Sequence, residues 1–312
     1  MANENPVLAS SRAGSIYDLG YRHYDGPRRG RLWAMWSLYA ESLRGIWGLG
    51  RPMSAKLAPL ILAGLYLLPA SFQLAFSSLI AQQIQSGQAS MSDLFSYSNY
   101  FGQLSIFVVF FCVAQAPEVV CRDQRYSVLP LYFTRALGRI EYAVARMASL
   151  ATALFIVLML PNVALFIGDV LMKTDTFSAI NAEVPKALPS IPASLLVAVG
   201  LGALSLALSS FTPRRAYAAI GIVAYVLLME AIPAAIYAIG QRGTDAVNGA
   251  DRLFLLTPLT SLGGATAWFF NARLDPQSFQ GNLTSGEYLV ASIASAIVFS
   301  LVLMFRYRRV SA

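Results

Sequence analysis

The side chains best placed to do chemistry are charged rather than nucleophilic. Glu118, Arg122, Asp123 and Arg125 close one apolar run in the sequence EVVCRDQR, and Glu230 stands alone inside another, VLLMEAIPAAIY. Glu118 and Arg122 are four apart with the acid first, the order in which a helix pairs them favourably. Such groups hold, orient and bind. A charged Glu230 at mid-membrane depth would cost on the order of 3 kcal/mol to insert, so it needs a partner, a water-filled cavity or a neutral state. It reads either as a pathway-lining group or as a structural hydrogen bond to a neighbouring helix. Covalent, metal and nucleotide chemistry have little to work with. The chain has no GxxxxGK[ST] phosphate loop, no GxSxG and no HExxH, and its single histidine is His23. Cys112 and Cys121 lack a CxxC or histidine partner and read as packed or lipid-facing thiols. We therefore expect no enzyme and no cofactor or metal in this chain.

The elements that must position these groups are apolar. Of 312 residues, 56% are hydrophobic and 12% charged, about half the roughly 25% charge of a soluble domain. A net charge of +7 could suggest nucleic acid, but the basic residues flank the apolar runs and do not gather on a soluble surface. Six runs approach the roughly 20 residues needed to cross a hydrocarbon core of about 30 Å: 57–80, 101–121, 143–168, 191–211, 216–239 and 287–305. Before them, residues 31–50 place Leu32, Trp33, Trp36, Tyr39, Leu43, Ile46 and Trp47 at helical spacing opposite Glu41 and Arg44. That predicts an amphipathic helix lying in the interface. Residues 253–270, LFLLTPLTSLGGATAWFF, are apolar but broken by Pro258, Gly263 and Gly264. A re-entrant or surface-lying pair of short helices fits that break better than a seventh span. The fold class is thus an all-α integral membrane protein. Residues 1–56 form an N-terminal segment with its interface helix, and residues 57–312 form a six-helix transmembrane domain.

Lysine and arginine distribution predicts orientation. Eight lie up to Lys56, five from Arg122 to Arg146, two in the TPRR link at Thr212–Arg215 and three in the tail, leaving five of the 23 for the other side. Eighteen against five places both termini inside. Between the second and third spans, Tyr126, Leu129, Tyr132 and Phe133 recur at spacings of three and four. A short helix there would show one apolar and one arginine face, with Pro130 limiting its regularity.

The run from Glu118 through RDQRYSVLPLYFTRALGRIEYAVAR resembles the first cytoplasmic loop of ABC-2 type transporter permeases, of the bacterial, type V exporter-like kind. GYRHYDGPRRGR and RLWAMWSLYAESLRGIWGLGRP resemble the basic N-terminal segment and connecting helix of those permeases. The resemblance implies the permease subunit of an ATP-driven exporter in a bacterial inner membrane. It would pair with a second permease subunit, identical or not, and with two copies of a separate ATPase that binds ATP and Mg. It implies that residues 122–142 form the coupling loop, with Glu118, Arg122, Asp123, Arg125, Tyr126, Leu129, Arg135 and Arg139 facing the ATPase, and a re-entrant element before the last span. Two other classes compete: an ion-coupled secondary transporter using Glu230 and Glu118, and a non-transporting membrane scaffold or assembly factor. Paired broken helices in two halves would mark the secondary transporter, and the sequence shows one broken segment and no repeat.

Overall fold

The computed structural model describes residues 26, 30–84, 96–98, 100–133, 137–171, 175–242, 250–274 and 283–309. Its helices are α1 (Arg31–Ile46), α2 (Met53–Ile84), α3 (Tyr100–Arg125), α4 (Leu129–Phe133), α5 (Arg139–Leu171), α6 (Thr176–Ala187), α7 (Ser190–Ser209), α8 (Arg215–Arg242), α9 (Pro258–Phe269) and α10 (Ser285–Arg308), with a 3-10 turn at Ala250–Leu256. No strand occurs among the described residues. Six segments are long and apolar enough to cross a membrane: within α2, α3, α5, the joined α6–α7, α8 and α10. The chain is a multi-pass, all-α membrane protein. Each span satisfies its own backbone, which hydrocarbon requires.

The centre of the bundle is α5 against α7, with α3 beside them and α1 laid along α5 and α3. Small residues make this approach close. Ala203 and Ala207 of α7 are fully buried, and Gly202 brings α7 onto the α5 backbone at Ala151, the packing that replaces hydrophobic drive in lipid. The interface helix splits its apolar residues. Leu32, Trp33 and Trp36 are exposed, whereas Leu38 and Ile46 are buried and Tyr39 donates to Thr152 Oγ1 of α5 at 3.1 Å. Gly48, at φ +67°, turns the chain from α1 into α2, and the Ala55 backbone would lie 2.9 Å from any Cβ there. Only glycine suits that turn.

Proline breaks in the spans are repaired by neighbours. After Pro69 in α2, the Tyr100 hydroxyl of α3 donates to Tyr66 O at 2.6 Å and accepts from Ala70 N at 3.3 Å. It bridges the donor and acceptor of one helical turn, one of the ways lipid-embedded helices tolerate proline.

The broken stretch resolves into the 3-10 turn and α9, parted at Thr257. Twelve residues span only about 18 Å at 1.5 Å per residue, so α9 is too short to cross. It is a short helix packed against α10 and α7, and the stretch is a broken pair of short helices and not a seventh span. Gly264 is the contact point, because a Cβ there would sit 2.4 Å from the Tyr288 ring of α10. One helix was not anticipated. α6, before α7, starts at Asp175, whose carboxylate accepts from Phe177 N at 3.3 Å, a cap signal visible in the sequence.

Candidate functional site at the arginine-rich end

The segment 122–142 is more broken than its periodicity suggests. α3 runs on to Arg125, so Arg122, Asp123 and Arg125 belong to its last turn and not to a separate loop helix. The helix then stops, and Ser127 adopts φ 51°, a left-handed conformation that ends helices. A new helix, α4, covers only Leu129–Phe133. Pro130 lies in its first turn, where a missing N–H is tolerated. α5 begins at Arg139, so Arg139 and Arg146 are parts of a span. The expected single helix with an apolar and an arginine face is therefore replaced by a helix end, a turn and one short helix. Leu129 faces inward and is buried, and among the described residues of this segment the large apolar side chains left exposed are Tyr126, Leu131 and Ile140. Leu131 lies off the three-and-four spacing of Tyr126, Leu129, Tyr132 and Phe133, so that spacing does not point to it. Arg135 lies outside the described residues.

Two ionic clusters organise this end. Glu118 is the first. Its Oε1 lies 2.6 Å from Arg51 Nη1 and 3.7 Å from Arg122, and its Oε2 lies 2.7 Å from Arg215 Nη1. The sequence suggested the Arg122 pair as the main contact, but that is the longest of the three. One carboxylate thus ties the α1–α2 turn, α3 and the start of α8 together. Its side chain is 13% exposed, so water screens these pairs only in part.

Asp123 is the second centre. It pairs with Arg146 of α5 and accepts from the Tyr142 hydroxyl at 2.7 Å. Arg146 is buried, donates to Ser42 Oγ of α1 at 2.7 Å and lies over the Tyr142 ring at 5.2 Å. Ser42 passes the chain on to Leu38 O at 2.5 Å. Nearby, Gln124 donates to Ser210 O at 3.0 Å and to the Tyr307 hydroxyl at 3.3 Å. Arg139 donates to Arg308 O at 3.1 Å, a cation on the last carbonyls of α10. Arg139 is therefore occupied within the chain.

These clusters wall a cleft of about 660 Å³ bounded by the end of α1, the end of α3 and α4, with Arg44, Arg51, Arg122, Asp123, Leu131 and Tyr132 among its lining. Burial, with Asp123 nearby as a second cause, raises the Tyr132 phenol above its ordinary value, so it stays a neutral donor. The cleft has charges of both signs beside apolar side chains, suited to an inserted peptide element. Among the described residues, no group of three histidine, cysteine, aspartate or glutamate side chains could hold a metal. Cys112 and Cys121 are free and buried.

Glu230 sits far from this end and does different work. Its Oε1 accepts from Leu259 N at 2.7 Å and Thr260 N at 3.2 Å, and its Oε2 accepts from Thr260 Oγ1 at 2.6 Å. These are the orphan donors of the first turn of α9. The local N-cap residue, Thr257, makes no side-chain cap and instead donates to Phe254 O at 2.7 Å. A carboxylate from α8 caps α9 in its place, where orphan donors and helix dipole both favour negative charge. Of the two readings of Glu230, this geometry realises the hydrogen bond to a neighbouring helix.

Six apolar spans define a multi-pass membrane protein, and an open cleft lies at its ion-paired end. No protein-family model matches this chain, and no curated protein matches it significantly.

Proposed function

We propose that this chain is the permease subunit of an ATP-driven exporter of the ABC-2 kind, seated in a bacterial inner membrane with both termini cytoplasmic. The observation that carries the reading is the Glu118–Asp123 end of α3. There the segment most exposed to a partner, Arg125–Tyr126, continues directly into two ion clusters that reach α1, α5 and α8. A separate ATPase, binding ATP and Mg, docks on α4 and the end of α3 and fills the cleft. When nucleotide draws two ATPases together, the load passes through Asp123–Arg146 into α5 and through Glu118–Arg215 into α8. The membrane helices respond only by the difference in contact free energy between the two states. A second permease subunit covers one of the apolar faces left open. In the most apolar stretches of α8 and α2 only 17% and 22% of residues are buried, against 67% for α6–α7.

The test uses exposed residues, so that the internal clusters stay intact. Arg125→Glu with Tyr126→Ala removes a cation and an aromatic contact, and charge reversal at an interface costs several kcal/mol. The ATPase should be lost on copurification, at about tenfold per 1.4 kcal/mol, while the permease inserts and unfolds as before. A variant that retains its ATPase and full transport would sink the docking assignment.

A further inference from the structure

At the end opposite the arginine-rich cleft, two spaces meet at one amide. The first is an apolar groove of about 230 Å³ on the membrane-facing side, between α5 and the α6–α7 joint, walled by Val163, Phe166, Leu188 and Ile191. The second is a chamber of about 20 Å³ ringed by the tyrosines Tyr66, Tyr97 and Tyr100. Asn162 and Ser190 line both. Asn162 is 9% exposed; its Nδ2 donates to Leu158 O at 3.0 Å, and its Oδ1 is buried with no hydrogen-bond partner among the described residues. The Tyr97 hydroxyl is likewise buried with no partner among them. Burial pushes its phenol upward, with Asp169 and Glu183 adding to the effect, so it is a neutral donor.

An unsatisfied buried amide oxygen costs free energy that a donor would recover. Tyr97, whose hydroxyl is also unsatisfied, lines the same chamber. The group complementary to both is another hydroxyl, which donates to the amide oxygen and accepts from the phenol. Size agrees, because the chamber admits about one water-sized group. A phosphate is too large, and an ester has no proton to give. Neither space is lined by a charged side chain, and Lys186, next to the groove residue Ala187 in sequence, is paired with Glu183 at 2.9 Å, so among the described residues nothing selects an ionic headgroup. The groove leading away from Asn162 is hydrocarbon-like. We propose that this site binds a neutral amphiphile with a free hydroxyl, its oxygen between Asn162 Oδ1 and the Tyr97 hydroxyl and its chain in the groove. The site is separate from the arginine-rich end, so it holds whichever partner docks there.

The experiment places the full chain, without any ATPase, in lipid nanodiscs containing a monoacylglycerol with a photoreactive tail, or the same lipid with its hydroxyls acetylated. The free alcohol should label the peptides around Val163 and Ile191 about tenfold more than the capped lipid, one hydrogen-bonded contact's worth of selectivity. Asn162→Leu should abolish that preference without loss of folding, because it removes the unpaired Oδ1 and, with it, only the Nδ2 bond to Leu158 O within the same helix. Tyr97→Phe, which lies outside the spans, should reduce the preference about threefold. Equal labelling by the free and capped lipids would overturn the site, leaving water in the chamber and undirected lipid in the groove. So would a preference that survives both substitutions.

Discussion

Glu118 and Glu230 are the same residue in similar apolar surroundings, and the fold satisfies them by opposite means. Glu118 is held by three guanidinium groups from the α1–α2 turn, from α3 and from α8. Glu230 is held by two backbone N–H groups and one hydroxyl from a single turn of α9. Side-chain ion pairs can exchange partners as helices shift, and water reaches their outer members. Backbone donors at a helix end have no other conformation in which to wait. The arginine-rich end is thus built to be rearranged and the α9 end to be fixed, as the coupling proposed above requires.

The largest effect should come from the most buried pair. Asp123→Ala strands Arg146, whose exposure is 8%, and leaving a buried charge unpaired costs about 3–5 kcal/mol. Thermal unfolding in detergent should show that loss, and Asp123→Ala combined with Arg146→Met should recover most of it. Failure of the double variant to recover would mean that the cluster holds α1 and α5 by shape and not by charge.

Glu118→Ala should cost less, about 2–3 kcal/mol, because Arg122 and Arg215 are roughly half exposed and already screened. Salt sharpens the contrast. Raising ionic strength to about 1 M, where the screening length is roughly 3 Å, should shrink the Glu118→Ala penalty and leave that of Glu230→Gln unchanged. Equal salt responses would erase the distinction between the two ends.

Much of this was legible in the sequence. The six spans follow from run length and apolarity, which hydrocarbon reads directly, and the break in residues 253–270 follows from Pro258 and its glycines. The partners of the two carboxylates were not legible. Arg51 lies 67 residues from Glu118, and Arg215 enters only because α8 folds back beside α3, so no local spacing signals either. The sequence does show Arg122 four residues on, and that pair is the weakest of the three. A left-handed serine has no sequence signature, so neither the turn at Ser127 nor the register that turns Leu129 inward is legible. The cap on α9 was hidden for another reason. Thr257 looks like its own N-cap, and only the fold shows its hydroxyl spent on Phe254 O.

Glu230→Gln should cost about 1–2 kcal/mol, since the amide oxygen still accepts but without the charge that complements the helix N-terminus. Assembly should be intact and stability slightly lower. A change in transport with no change in stability would move Glu230 from a cap to a pathway group.

The smallest effect isolates one bond of that cap. Thr260→Val keeps side-chain volume and removes the hydroxyl that donates to Glu230 at 2.6 Å, a loss of about 1 kcal/mol. Alone that value says little, because a threonine hydroxyl in a helix also acts through local backbone contacts. The informative quantity is the coupling. If the hydroxyl matters only through the carboxylate, Thr260→Val should cost clearly less in the Glu230→Gln background than in the parent, with an interaction energy of about 0.5–1 kcal/mol. The two backbone donors from Leu259 and Thr260 remain in every corner of that cycle, so α9 stays docked and the difference reports the hydroxyl–carboxylate contact. Strict additivity would show that the carboxylate rests on the backbone alone.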